Sequence, residues 1–172
     1  MRGRNCSAAR RTGPAVAAVV LLAAAGTGAG TPASAASAGG AGHRCGCAPQ
    51  TAYVANGSGT VTPVNTRTNT PGPPIPVGSE PWAIAITPDG RTAYVLNLGS
   101  DTVTPISTRT NTAGPPIPVG TEPDEIAITP DGATAYVGNV YSGTVTPIST
   151  STGKPGPPIP VGESPWAIAI TP

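Results

Sequence analysis

Downstream of residue 50 the apolar residues fall in short stretches, each closed by glycine, proline, asparagine or aspartate. Ala83-Ile84-Ala85-Ile86 puts isoleucine on one face and alanine on the other. Both faces are apolar, the pattern of a strand covered on two sides. Thr87-Pro88-Asp89-Gly90 then predicts a turn: proline presets the first position, aspartate bonds its own backbone and glycine takes a positive φ. A second strand is expected at Thr92-Ala93-Tyr94-Val95 and a third at Thr102-Val103-Thr104-Pro105-Ile106. A fourth is expected over residues 115–119, on an outer edge because three prolines in five residues cannot sit inside a hydrogen-bonded ladder. Pro105 predicts a bulge or a shortened third strand. No window carries a 3.6-residue apolar period, so helix is not expected in this part of the chain.

The four-strand phrase repeats. Thr-Val-Thr-Pro begins at 60, 102 and 144, Pro-Pro-Ile-Pro-Val-Gly at 73, 115 and 157, and Ile-Ala-Ile-Thr-Pro at 84, 126 and 168, each step being 42 residues. Four antiparallel strands on a period near 40 describe a β-propeller blade, so the fold class is all-β, with about three blades' worth of strands over residues 51–172. Glycine and proline contribute 23 residues each to the 172. That share would suggest disorder in an aperiodic chain, and the strict period removes that reading.

The repeats resemble a known family. Tyr53-Val54-Ala55-Asn56, Tyr94-Val95-Leu96-Asn97 and Tyr136-Val137-Gly138-Asn139 are similar to the repeat of YVTN-type, surface-layer-like β-propellers, and so are the Gly/Pro-rich and Ile-Ala-Ile-Thr-Pro-Asp-Gly segments between them. The third letter departs from the family's threonine in every copy. The resemblance implies an exported or cell-surface protein of about seven blades, often without known activity. It also implies kinship with amine dehydrogenase heavy chains and with lactonase-like or lyase-like propeller enzymes.

Residues 1–38 read as a secretory signal: four arginines and no acid, an apolar core over 14–26, then Ala-x-Ala sites at 33–35 and 36–38. The apolar run is shorter than the roughly 20 residues a spanning helix needs, so no membrane span is expected after cleavage. Residues 39–50 form a Gly- and Cys-containing tail. Without the leader, five basic residues face eight acids, a net charge of about −3. That excludes the basic stripe of a nucleic-acid binder.

From Thr51 the strands count as the second, third and fourth of one blade, two complete blades, and a lone first strand over 165–171. Three blades are too few for a ring. Either chains associate, for example two copies sharing strands in a six-bladed ring, or the sequence is a piece of a longer propeller. The last strand is expected to complete the first blade.

Candidate chemistry is sparse. His43, Cys45 and Cys47 are the one cluster with soft-metal ligands, set against a disulfide or a tail with no role. Asp89 and Asp131 fall at one position of successive repeats and read as turn formers. Trp82, Asp124 and Trp166 occupy equivalent positions at the start of the innermost strand, and Glu125 stands where the other copies have alanine. These four are the candidate ligand-binding residues, for a cation or a polar ligand. The repeats hold no histidine, so no Ser-His-Asp triad can be assembled from them, and no catalytic residue or cofactor is assigned. The expectation is a non-catalytic binding or surface scaffold, with a second copy or a protein or cell-wall partner. The alternative is part of a propeller enzyme whose catalytic residues lie in other blades.

Overall fold

A computed structural model describes residues 50–172. The leader over 1–38, the tail as far as residue 49, and with it His43, Cys45 and Cys47 lie outside the described residues. Three antiparallel sheets follow one another along the chain, one per repeat. The first contains β1 (Thr51–Asn56), β2 (Thr60–Asn65), β3 (Thr70–Pro71) and β4 (Ile75–Pro76). The second contains β5 (Pro81–Ile86), β6 (Thr92–Asn97), β7 (Thr102–Ser107), β8 (Thr112–Ala113) and β9 (Ile117–Pro118). The third repeats it with β10 (Pro123–Ile128), β11 (Thr134–Asn139), β12 (Thr144–Ser149), β13 (Lys154–Pro155) and β14 (Ile159–Pro160). By register β1 corresponds to β6 and β11, so the first sheet has no counterpart of β5 and β10 among the described residues. A single 3-10 turn, Leu98–Ser100, is the one helical segment among them.

The outer edge departs from the expected continuous strand. In the second sheet β8 and β9 both pair with β7, Ala113 opposite Ile106 and Ile117 opposite Val103, and Gly114-Pro115-Pro116 bows out between them. The prolines have no donor for the ladder, so pairing survives only at the two ends of the run. Pro105 shortens nothing: β7 pairs with β6 over six residues without a shift. Its carbonyl accepts from Gly114 N at 2.7 Å, on the outer side. In an antiparallel ladder the N–H and C=O of one residue face the same neighbour. The donor that proline lacks would therefore have faced the interrupted outer edge, and the β6–β7 ladder loses no bond.

The register shifts occur instead at the innermost strands, between Pro81 and Ala83 and between Pro123 and Glu125. Each bulge centres on the second residue of the strand, Trp82 or Asp124. The residue just before each strand, Glu80 or Glu122, has a positive φ of 51° or 53°. Its carbonyl is held by Leu98 N or Val140 N at 2.9 Å, which keeps the left-handed conformation in place.

The core lies between blades. Val61, Ile75, Ala93, Val95 and Ile106 fill the seam between the first and second sheets. Tyr94, Leu96, Val103, Ile117, Ile126, Ala135, Val137 and Ile148 belong to the seam between the second and third. Alternate residues of β6 thus face opposite neighbours, which is why no strand reads as polar on one face.

Two polar devices brace the seams. Asn97, fully buried, donates from Nδ2 to Thr104 Oγ1 (3.0 Å) and Thr102 Oγ1 (3.1 Å), and its Oδ1 accepts from Gly78 N of the preceding repeat at 3.2 Å. Asn139 repeats the arrangement with Thr146, Thr144 and Gly120 N. The tyrosines reach forward: Tyr53 OH donates to Asn111 Oδ1 at 2.7 Å, and Tyr94 OH to Thr150 O at 3.4 Å. Asn97 and Asn139, which close their Tyr-Val-x-Asn phrases, are clamps on the previous repeat, and Tyr53 and Tyr94 are clamps on the next.

Residues 165–172 form no strand and do not reach the first blade, contrary to the expected closure. They lie against the third sheet, with Ile168 and the Pro165 carbonyl at Gly138, and with Ile168 and Ile170 half-buried.

Candidate functional site

The innermost strands of the second and third sheets, β5 and β10, lie side by side. Their bulges bring Trp82 and Asp124 to the same rim. A bulge adds one residue to one strand of a pair and re-aims its side chain. Trp82 is 41% exposed, although the strand around it is half-buried or better in four of six positions. Asp124 and Glu125 are half-buried. Glu125 sits opposite Gly138, where the second sheet pairs Ala83 with Leu96. The larger inner-strand residue thus faces the smaller partner, and the pair lies on the face met by residues 165–170. Burial and then the charge of Asp124 hold the Glu125 carboxyl above its ordinary range. Trp166 is 66% exposed on the segment anchored at Gly138. Trp82 and Asp124 therefore share a rim built by paired strands, whereas Trp166 lies on a segment without ladder bonds.

The repeated aspartates are turn formers. Asp89 Oδ1 accepts from Thr87 Oγ1 at 2.6 Å and from Arg91 N at 3.0 Å, and Asp131 does the same with Thr129 and Ala133. The hydroxyl, and then the backbone N–H, hold both carboxyls below the usual carboxylate range. Both line a cleft of about 250 Å³ between the second and third blades, together with Thr150 and Gly132. Each carboxylate is already committed on one oxygen. Arg91 Nε stands 3.7 Å from Asp89 Oδ2 with both side chains well exposed, a pair worth little in water. Among the described residues no three histidine, cysteine, aspartate or glutamate side chains are grouped closely enough to hold a metal ion.

Three residues with defined roles carry no motif of their own. Asp101 Oδ1 accepts from Glu122 N at 2.9 Å, Ser142 Oγ accepts from Thr121 N at 2.7 Å, and Ser100 shares a 2.9 Å bond with Thr102. Asp101 and Ser142 fix the loop that leads into β10, and Ser100, the equivalent of Ser142, lies in the β6–β7 connection. In sequence they are indistinguishable from other polar loop residues.

The fold is that of a partial β-propeller, and solved propeller-containing structures match it. A chain of Kuenenia stuttgartiensis hydrazine synthase aligns with a TM-score of 0.65 and 32% identity, over 67% of this chain and 34% of that one. Dihydro-heme d1 dehydrogenase NirN, solved in complex with DHE, aligns at 0.59 and 20% identity, over 65% and 25%. Apo AztD from Citrobacter koseri aligns at 0.57 and 14% identity, over 68% and 33%. The chain spans 25–34% of the length of these matched chains. No family model and no curated protein matches the sequence.

Proposed function

We propose that the chain is an exported, non-catalytic propeller module of the YVTN-repeat type whose inner rim binds positively charged groups. The observation that carries this reading is the pair of bulges that sets the Trp82 indole and the Asp124 carboxylate on one rim, with Glu125 next to it. An indole face attracts a cation by about 0.5–2 kcal/mol depending on solvent exposure, and carboxylates beside it add charge complementarity. Asp89 and Asp131 bond their own turns, and the repeats hold no histidine for acid–base work. Export follows from the order of charged, apolar and small residues over 1–38.

The test is a titration of the full chain with tetramethylammonium and with an arginine-containing peptide, followed by tryptophan fluorescence. Saturable quenching that weakens with salt and is lost in Asp124→Asn and Trp82→Ala is the expected result. An unchanged signal for both probes at low salt removes the reading.

A second reading is part of a propeller enzyme, a lactonase, lyase or dehydrogenase relative. It is favoured by the 32% identity with a chain of hydrazine synthase, of which this chain spans 34%. Turnover of a lactone panel by the purified chain would replace the binding reading with this one.

A further inference from the structure

Among the described residues, one sheet edge is open and one segment outside any sheet fits it. The edge is β1. Gln50 O accepts from Thr66 N at 3.0 Å, so even-numbered residues of β1 turn their backbone groups toward β2. By the alternation of an antiparallel ladder, the N–H and C=O of Tyr53 and Ala55 face away from it. In the second and third sheets that side is covered by β5 and β10; in the first, no described strand covers it. Val54 is 47% exposed, whereas its equivalent Val95 is fully buried. An uncovered edge of this kind is a template for a further strand.

The fitting strand is 165–170. Its sequence, Pro-Trp-Ala-Ile-Ala-Ile, is identical to β5, which pairs with β6 in the same geometry that β1 leaves open. We infer that residues 165–170 of one copy pair with β1 of a second copy, completing its first blade. The β5–β6 register transfers directly: Ala167 opposite Ala55, Ile168 opposite Val54, Ala169 opposite Tyr53, Ile170 opposite Ala52.

Both seam devices independently find their missing halves in this arrangement. Asn56 donates to Thr60 and Thr62 as Asn97 does to its threonines, but among the described residues its Oδ1 accepts no bond. Gly162 N of the other copy, equivalent to Gly78 N and Gly120 N, supplies the donor. Tyr136 is left without the forward bond that Tyr53 and Tyr94 make, and Asn69 of the second copy stands where Asn111 stands for Tyr53. Ile168 already rests on the third sheet at Gly138, so the completed blade stacks there as the next one in the ring.

The experiment is light scattering on a sizing column with the full chain and with Ala169→Pro. Ala169 corresponds to Ala85, whose N–H belongs to the β5–β6 ladder, so proline there removes a donor to β1 of the second copy. Residues 165–172 belong to no sheet of their own chain, so the variant keeps its fold, checked by circular dichroism on the same peak. The expected result is twice the chain mass for the parent and a twofold drop for A169P. The A169P monomer then binds a fluorescently labelled peptide of residues 164–171, and the same peptide with Ala169→Pro does not bind. A monomeric parent overturns the inference, and so does a dimer that A169P leaves intact.

Discussion

Residues 81–86 and 165–170 are the same six residues in two situations. As β5 they pair with β6, bulge at Trp82 and bury Pro81. At 165–170 they form no strand, and Trp166 is 66% exposed against 41% for Trp82. The sequence is common to both, so the difference lies in the neighbour. Strand propensity reports how well a side chain suits a pleated, half-buried surface, and it becomes structure only where a ladder partner and a packing face are present. The same contrast holds between β6 and β1, which share the Tyr-Val-x-Asn phrase. Val95 is fully buried between two sheets, and Val54 is 47% exposed on an uncovered edge.

The largest effect expected from breaking this comparison is Ala85→Pro against Ala169→Pro. At 85 the substitution leaves an acceptor of β6 unpaired and strains an inner strand, a loss of about 3 kcal/mol in urea unfolding. At 169 it acts only through association, so its effect on the midpoint disappears on dilution. Next comes Asn97→Ala against Asn56→Ala. Asn97 is buried and joins Gly78 to Thr102 and Thr104, so its loss strands buried polar groups and costs about 1–3 kcal/mol. Asn56 has solvent access and no bond from a preceding glycine, and a cost of about 0.5–1 kcal/mol is expected for it in a dilute sample. Equal effects in the two variants would mean that the cross-repeat bond contributes nothing.

Two smaller effects depend on pH. The folded pKa of Glu125 is raised by burial and by Asp124. The folded state therefore binds that proton more tightly than the unfolded chain does, and stability falls as pH rises through the interval between the two values. Glu125→Gln removes this penalty. It should be more stable than the parent at pH 7, and the gap should close below the unfolded value, as read by thermal melts at the two pH values. Asp89 has the opposite sign. Its folded pKa is lowered by Thr87 and by Arg91 N, so its contribution is complete above the unfolded value and is lost as pH falls through the folded one. Asp89→Asn should be the less stable protein at pH 7, with the difference narrowing in acid.

The blades were legible in the sequence because their causes are local and repeated. The 42-residue step, the Thr-Pro-Asp-Gly turns and the doubly apolar Ala-Ile-Ala-Ile strand need no knowledge of distant residues, and the three inner strands of the second and third sheets follow them. Trp82, Asp124 and Glu125 were picked out by comparing copies of one phrase. Their bulge was not legible, because it depends on how the αL residue before Pro81 or Pro123 is held by a loop some 18 residues later. The tertiary structure also decided the broken outer edge, since the direction of the Pro105 donor side is set by ladder phase and not by residue type. The clamp roles of Asn97 and Tyr94 became visible only when one repeat was seen against another. Sequence by itself determined what each blade is, because a blade's strands and turns are written within one period. Tertiary structure decided which of its faces and edges are covered, because burial belongs to a pair of neighbours and not to either one.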